Sequence, residues 1–143
     1  MANFYGTART NYFKVKDAQK FQEAMAEIPN IEVVTKPEDC FGIMASGDSD
    51  SGCFPGYGWS EENGEEYEID LPQLVSKHLR EDEVAVFMEA VAVFMEAGAE
   101  KLRYISGWSL AVNSKGEEIV VSLSDIYKLA IEKWGCTVTP AEY

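Results

Sequence analysis

Val84–Ala97 reads VAVFMEAVAVFMEA, one heptapeptide written twice with no residue between the copies. An odd repeat means opposite things in the two regular structures. In a strand, side chains alternate with period two, so Val91, Val93 and Met95 of the second copy fall on the face opposite that of Val84, Val86 and Met88. In a helix, seven residues make almost two turns, and Val84, Phe87, Met88, Val91, Phe94 and Met95 line up as one apolar stripe. Composition leaves both readings open, because Val and Phe favour strand while Ala, Met and Glu favour helix. Solenoid repeats recur at periods of about 20 residues or more, so two identical adjacent copies read as a segment duplication within one domain.

Sequence on either side of the repeat is more easily read. Downstream, Gly98 and Ala99 break the pattern, and Lys101–Asn113 reads as a strand with Trp108, Leu110 and Val112 on one side. Ser114, Lys115 and Gly116 form a tight turn, and Ile119–Leu123 returns antiparallel as a hairpin. Ser124 is placed to cap a last helix with Ile126, Leu129, Ala130 and Trp134 inward and Gly135 at its stop.

Upstream, Tyr12–Val15 reads as a first strand. A helix then runs from Asp17 as N-cap through Ala18–Ile28, with Phe21, Met25 and Ile28 buried. Ile31–Thr35 and Phe41–Ala45 are two further strands, and Glu65–Ile69 is a short edge strand. Asp70 caps a helix whose face carries Leu71, Leu74, Val75, His78 and Leu79, with Pro72 allowed in the first turn. The expected fold is α+β, a largely antiparallel sheet with about three helices packed on it.

At 143 residues the chain fits a single domain, 1–143, able to bury roughly two-thirds of its unfolded surface without a cofactor or disulfide. The 46% hydrophobic and 26% charged residues are those of a globular protein. Cys40, Cys53 and Cys136 are odd in number and form no CxxC pair, which points to thiols in a reducing compartment. The opening MANFYGTART lacks an apolar core of secretory length, and no apolar run approaches the roughly 18 residues of a membrane span.

The net charge of −13 is unevenly distributed. Between Lys36 and Lys77 there is no Lys or Arg, yet ten acids fall there. Such a surface repels nucleic acid and anionic membrane and attracts basic partners. Within this window, 46–64 is crowded with Gly, Ser and Asp and reads as a long acidic loop. It includes Cys53-Phe54-Pro55-Gly56-Tyr57-Gly58-Trp59, three aromatics beside a run of acids. Aromatics presented on a Gly-rich loop suit a binding surface, although Phe54 and Trp59 could equally pin the loop to the core. The candidate partner-binding residues are Phe54, Tyr57, Trp59, Glu61, Glu62, Glu65, Glu66 and Glu68.

Several chemistries find no support in the residues. His78 is the one histidine, on an apolar helix face with no cysteine at ligand spacing, whereas zinc needs about four N or S ligands. Asp48-Ser49-Asp50-Ser51-Gly52 starts like a calcium loop, but Trp59 stands where the bidentate glutamate belongs. A GxSxG turn and a phosphate-binding glycine loop are both missing. We therefore expect no metal, no cofactor and no catalytic residue.

MANFYGTARTNYFKVKD at the start, GAEKLRYISGWSLAVNSKGE at Gly98–Glu117 and VSLSDIYKLA at Val121–Ala130 resemble short acidic proteins of unassigned function encoded by phages, plasmids and other bacterial mobile elements. In that pattern one VAVFMEA-like strand precedes GAEKLRY, and the second copy departs from it. The resemblance implies that at least one copy lies in the sheet, that the protein works in a bacterial cytoplasm, and that an anti-defence role is worth testing. The resulting expectation is a non-enzymatic acidic protein that docks on a basic protein surface or nucleic-acid-binding complex, without touching nucleic acid or membrane itself. Two alternatives stay open: a small-molecule binder with an aromatic pocket at Tyr12, Trp108 or Tyr127, and an oligomerisation module built on the doubled segment.

Overall fold

The computed structural model describes residues 2–46, 52–97 and 100–139. It has an α+β fold, and both copies of the repeat are strand. Strand β1 (Ala2–Thr10) is followed by β2 (Phe13–Lys14), helix α1 (Ala18–Ala26), β3 (Ile31–Lys36) and β4 (Cys40–Ala45). A hairpin of β5 (Tyr57–Ser60) and β6 (Glu65–Glu68) leads to α2 (Leu71–His78). The chain then enters β7 (Val84–Ala97), β8 (Glu100–Asn113), β9 (Glu118–Ser122) and α3 (Asp125–Trp134).

Seven strands form one antiparallel sheet in the order β2-β4-β1-β7-β8-β9, with β3 on the other edge of β4. The doubled heptapeptide is the central strand. It pairs with β8 from Val84↔Asn113 to Ala97↔Glu100 and with β1 from Thr10↔Phe87 to Ala2↔Met95, without a bulge in either ladder. Residues Ala2–Thr10, which carry no strand in the sequence reading, provide that second partner. With pairing on both sides, strand rather than helix satisfies the backbone of the whole repeat.

One face of the sheet carries the core. Cross-strand partners share a face, so Phe87 and Leu110, or Ala85 and Val112, point together toward the helices. Phe13, Phe21, Phe41 and Phe87 are fully buried there with Met25, Ile43, Val75 and Leu79. Phe21 of α1 meets Phe13 edge-on at 5.8 Å and Phe41 at 5.0 Å. Thr10, buried on the same face, accepts from the Ile43 N–H at 2.9 Å and donates to the Asn11 carbonyl at 2.8 Å. Its hydroxyl therefore goes into the core with both roles satisfied.

Helices α1 and α2 start as their sequences dictate. Asp17 accepts from the Lys20 N–H at 3.1 Å and Asp70 from the Gln73 N–H at 3.2 Å. Each side chain occupies one of the donors that a helix start leaves without a partner. Leu71 and Val75 of α2 are buried, and Ser76 donates to the Asn113 carbonyl at 2.7 Å, tying the helix to the β8–β9 turn.

Helix α3 departs from expectation. Gly135 does stop it, in the left-handed conformation (φ 66°) with its N–H on the Ile131 carbonyl at 2.8 Å. Ser124, however, makes no capping bond; its hydroxyl pairs with that of Ser122, and the Asp125 carboxylate accepts from the Ser122 N–H at 2.6 Å. Ile126, Leu129 and Trp134, expected inward, are 61%, 53% and 68% exposed, and only Ala130 of this helix is buried. The periodicity is that of a packed helix, but of the expected stripe only Ala130 is covered.

Candidate functional site

The acidic window folds into the β5–β6 hairpin, so the expectation of a loop through 46–64 is corrected at its second half. Tyr57 pairs with Glu68, Gly58 with Tyr67, Trp59 with Glu66 and Ser60 with Glu65, in a two-stranded sheet separate from the main one. Glu61 and Glu62 occupy the connecting turn, which closes through the Gly64 N–H on the Ser60 carbonyl at 2.8 Å with Gly64 at φ 63°. Pleating puts Tyr57, Trp59, Glu66 and Glu68 on one face and Glu65 on the other. The segment that resembles a calcium-loop start, Asp48–Ser51, lies outside the described residues.

Two anchors hold the hairpin at its base. Phe54 stacks edge-on against buried Phe87 with centroids 5.3 Å apart, and its N–H donates to Glu89 Oε2 at 3.3 Å. On the returning strand, Ile69 is buried and donates its N–H to the Gly56 carbonyl at 2.8 Å. Phe54 therefore belongs to the core, not to a presented surface. Tyr57 and Trp59 do the reverse and stand 63% and 66% exposed.

Gly58 explains how so short a hairpin keeps its shape. The Tyr67 ring lies over it, and a Cβ at position 58 would come within 2.4 Å of Tyr67 Cζ. Glycine lets the ring close onto the backbone and bury position 58, leaving the opposite face to Tyr57 and Trp59. Tyr67 is absent from the sequence-derived site; its alternation with Ile69 against Glu66 and Glu68 in the strand expected at Glu65–Ile69 is the clue that would have found it.

Among the described residues, Glu61, Glu62, Glu65, Glu66 and Glu68 enter no salt bridge; the ion pairs are Lys14–Glu38, Lys20–Asp17 and Lys128–Glu132. Five carboxylates crowded onto a hairpin without a cation raise a negative potential beside two exposed aromatic rings. No group of His, Cys, Asp and Glu among the described residues could hold a metal ion. Nor is any described helix long and apolar enough to cross a membrane. Comparison with models of protein families, with curated proteins and with solved structures finds no match.

Of the aromatic residues considered for a small-molecule pocket, Tyr12 and Trp108 do not converge. Tyr12 lies against Gly42 of β4 with Lys36 Nζ 4.0 Å from its ring centroid, while Trp108 is on β8, beyond β1 and β7. Trp108 does border a shallow groove of about 410 Å³ on the sheet, walled by Met88, Val121 and Leu123 with Thr7 and Arg9 at its side.

Proposed function

We propose that this is a non-enzymatic acidic binding protein whose β5–β6 hairpin docks on a basic protein surface, such as the phosphate-binding groove of a nucleic-acid-handling complex. The observation that carries the reading is one hairpin face on which exposed Tyr57 and Trp59 stand directly across from Glu68 and Glu66. Aromatic side chains bring contact area at low entropic cost, and carboxylates without internal partners favour an arginine- or lysine-lined groove and speed the approach to it. An anti-defence role in a bacterial host follows if that complex is a host nuclease.

The test is charge reversal. Lys at Glu61, Glu62, Glu65 and Glu66 should abolish capture of the partner from bacterial lysate, and raising salt from about 0.1 to 0.5 M should release it from the unmodified protein. Equal capture by the reversed variant at every salt concentration would sink the reading. The groove beside Trp108 favours a second reading, a small apolar ligand. Its check is a rise in melting temperature with ligand excess across a metabolite panel.

A further inference from the structure

A cavity of about 280 Å³ opens at the foot of the hairpin, between the segment around Phe54, the start of α2 and the sheet. Phe54, Phe87 and Trp108 line it. Trp108 of β8 and Glu89 of β7 are direct cross-strand partners, so their side chains stand together on the face of the sheet that carries Phe87. The volume lies just below the roughly 300–1,000 Å³ of sites for drug-sized molecules. It suits a group the size of one side chain.

Charge selects that group. The lining includes the carboxylate residues Glu68, Asp70 and Glu89 and no Lys, Arg or His. Glu89 Oε2 accepts from the Phe54 N–H at 3.3 Å, but a neutral donor leaves the carboxylate its charge. Among the described residues Glu89 enters no ion pair. Helix α2 does little to draw an anion here, since Asp70 already holds the Gln73 N–H at 3.2 Å and Pro72 has no N–H to offer.

An indole beside a carboxylate is a setting for a planar cation. Guanidinium stacks on aromatic faces, Trp best of all, is more weakly hydrated than an ammonium, and meets a carboxylate with two parallel N–H donors. We propose that this cavity takes a guanidinium group, with Phe54 and Trp108 as its aromatic walls and Glu89 as its counter-ion, and that an arginine of the basic partner supplies it. The source of the guanidinium rests on the hairpin reading above; the selectivity belongs to the cavity itself. An arginine seated there would anchor the partner at the foot of the hairpin, where aromatic and Arg pairs carry a large share of binding energy.

An NMR titration of the full chain with N-acetyl-L-arginine amide tests this. It is read at the Trp108 indole N–H, whose signal is identified by its loss in Trp108→Phe. The shift should saturate with the arginine amide and be missing with N-acetyl-L-citrulline amide, which has the same shape without the charge. Glu89→Gln keeps an acceptor for the Phe54 N–H and should bind the arginine amide at least about tenfold more weakly, the loss expected of a hydrogen bond between charged groups. A Trp108 signal that ignores the arginine amide, moves equally with citrulline, or titrates alike in Glu89→Gln overturns the proposal. Glu61→Lys, Glu62→Lys, Glu65→Lys and Glu66→Lys, made together, separate the two readings, because these residues do not line the cavity. Binding of the arginine amide that persists in this variant supports the cavity, and if capture of the partner persists too, only the hairpin reading falls. Its loss there would place the guanidinium on the hairpin and overturn the proposal.

Discussion

Helices α1 and α3 carry the same kind of sequence and meet opposite fates. Each has apolar residues at helical spacing, a short polar residue at its start and charged residues between. Phe21 and Met25 of α1 are buried against the sheet, whereas Ile126, Leu129 and Trp134 of α3 face outward. The difference lies in what is nearby: α1 and α2 share the core face of β4, β7 and β8, while α3 follows an edge strand and, among the described residues, has only Ala130 buried. Helical periodicity fixes which side chains share a face, and tertiary contact decides whether that face is inside the same chain.

The sharpest way to break this contrast is to truncate one side chain in each helix. Phe21→Ala removes a ring packed on Phe13, Phe41 and His78 and should cost about 3–5 kcal/mol in urea unfolding, the range for large-to-small changes in a packed core. Caps give the next effect: Asp17→Ala and Asp70→Ala should each cost about 1 kcal/mol, and Ser124→Ala, which removes no cap bond, less than about 0.5 kcal/mol.

A pH dependence should also belong to the buried half. Burial holds the His78 pKa below its ordinary value of 6.5, with Asp17 opposing and Lys16 and Lys77 reinforcing the shift. Between that lowered value and 6.5 the unfolded chain binds the proton more readily, so stability falls as the pH drops through this window. Thermal melts of His78→Gln should lose this step. The smallest effect should come from Ile126→Ser, within about 0.5 kcal/mol of wild type, because the side chain is exposed. A loss as large as that of Phe21→Ala would mean that α3 is packed after all.

Much of the fold could be read from local chemistry. Asp17, Asp70, Gly135 and the Ser114–Gly116 turn each fix a boundary through a bond to near neighbours, and short-range rules find such bonds. Phe54 and Trp59 could not be separated in this way, since both are aromatics in one Gly-rich stretch. What divides them is Phe87, distant in sequence, which receives Phe54 and leaves Trp59 on the hairpin. Strand β1 was hidden for a similar reason: ANFYGTART has no clean alternation, and its pairing comes from β7, some eighty residues away. The candidate acids were legible as a window without cations, but the cross-strand matching of Glu66 to Trp59 and Glu68 to Tyr57 required the register.

The unbroken ladders through Val84–Ala97 have a consequence for how the chain finds its place. Sliding β7 by seven residues would bring Ala92 opposite Val112 and Phe94 opposite Leu110, the seats that Ala85 and Phe87 now occupy. Every residue opposite the first copy would then meet the same neighbour type from the second. Such a slid form would lose the partners of Ala2–Gly6 and Glu100–Ser106, and Val84–Ala90 would pass into the connection after α2. The heptapeptide thus has two equivalent addresses in this sheet, and the flanking strands, not the repeat itself, select between them.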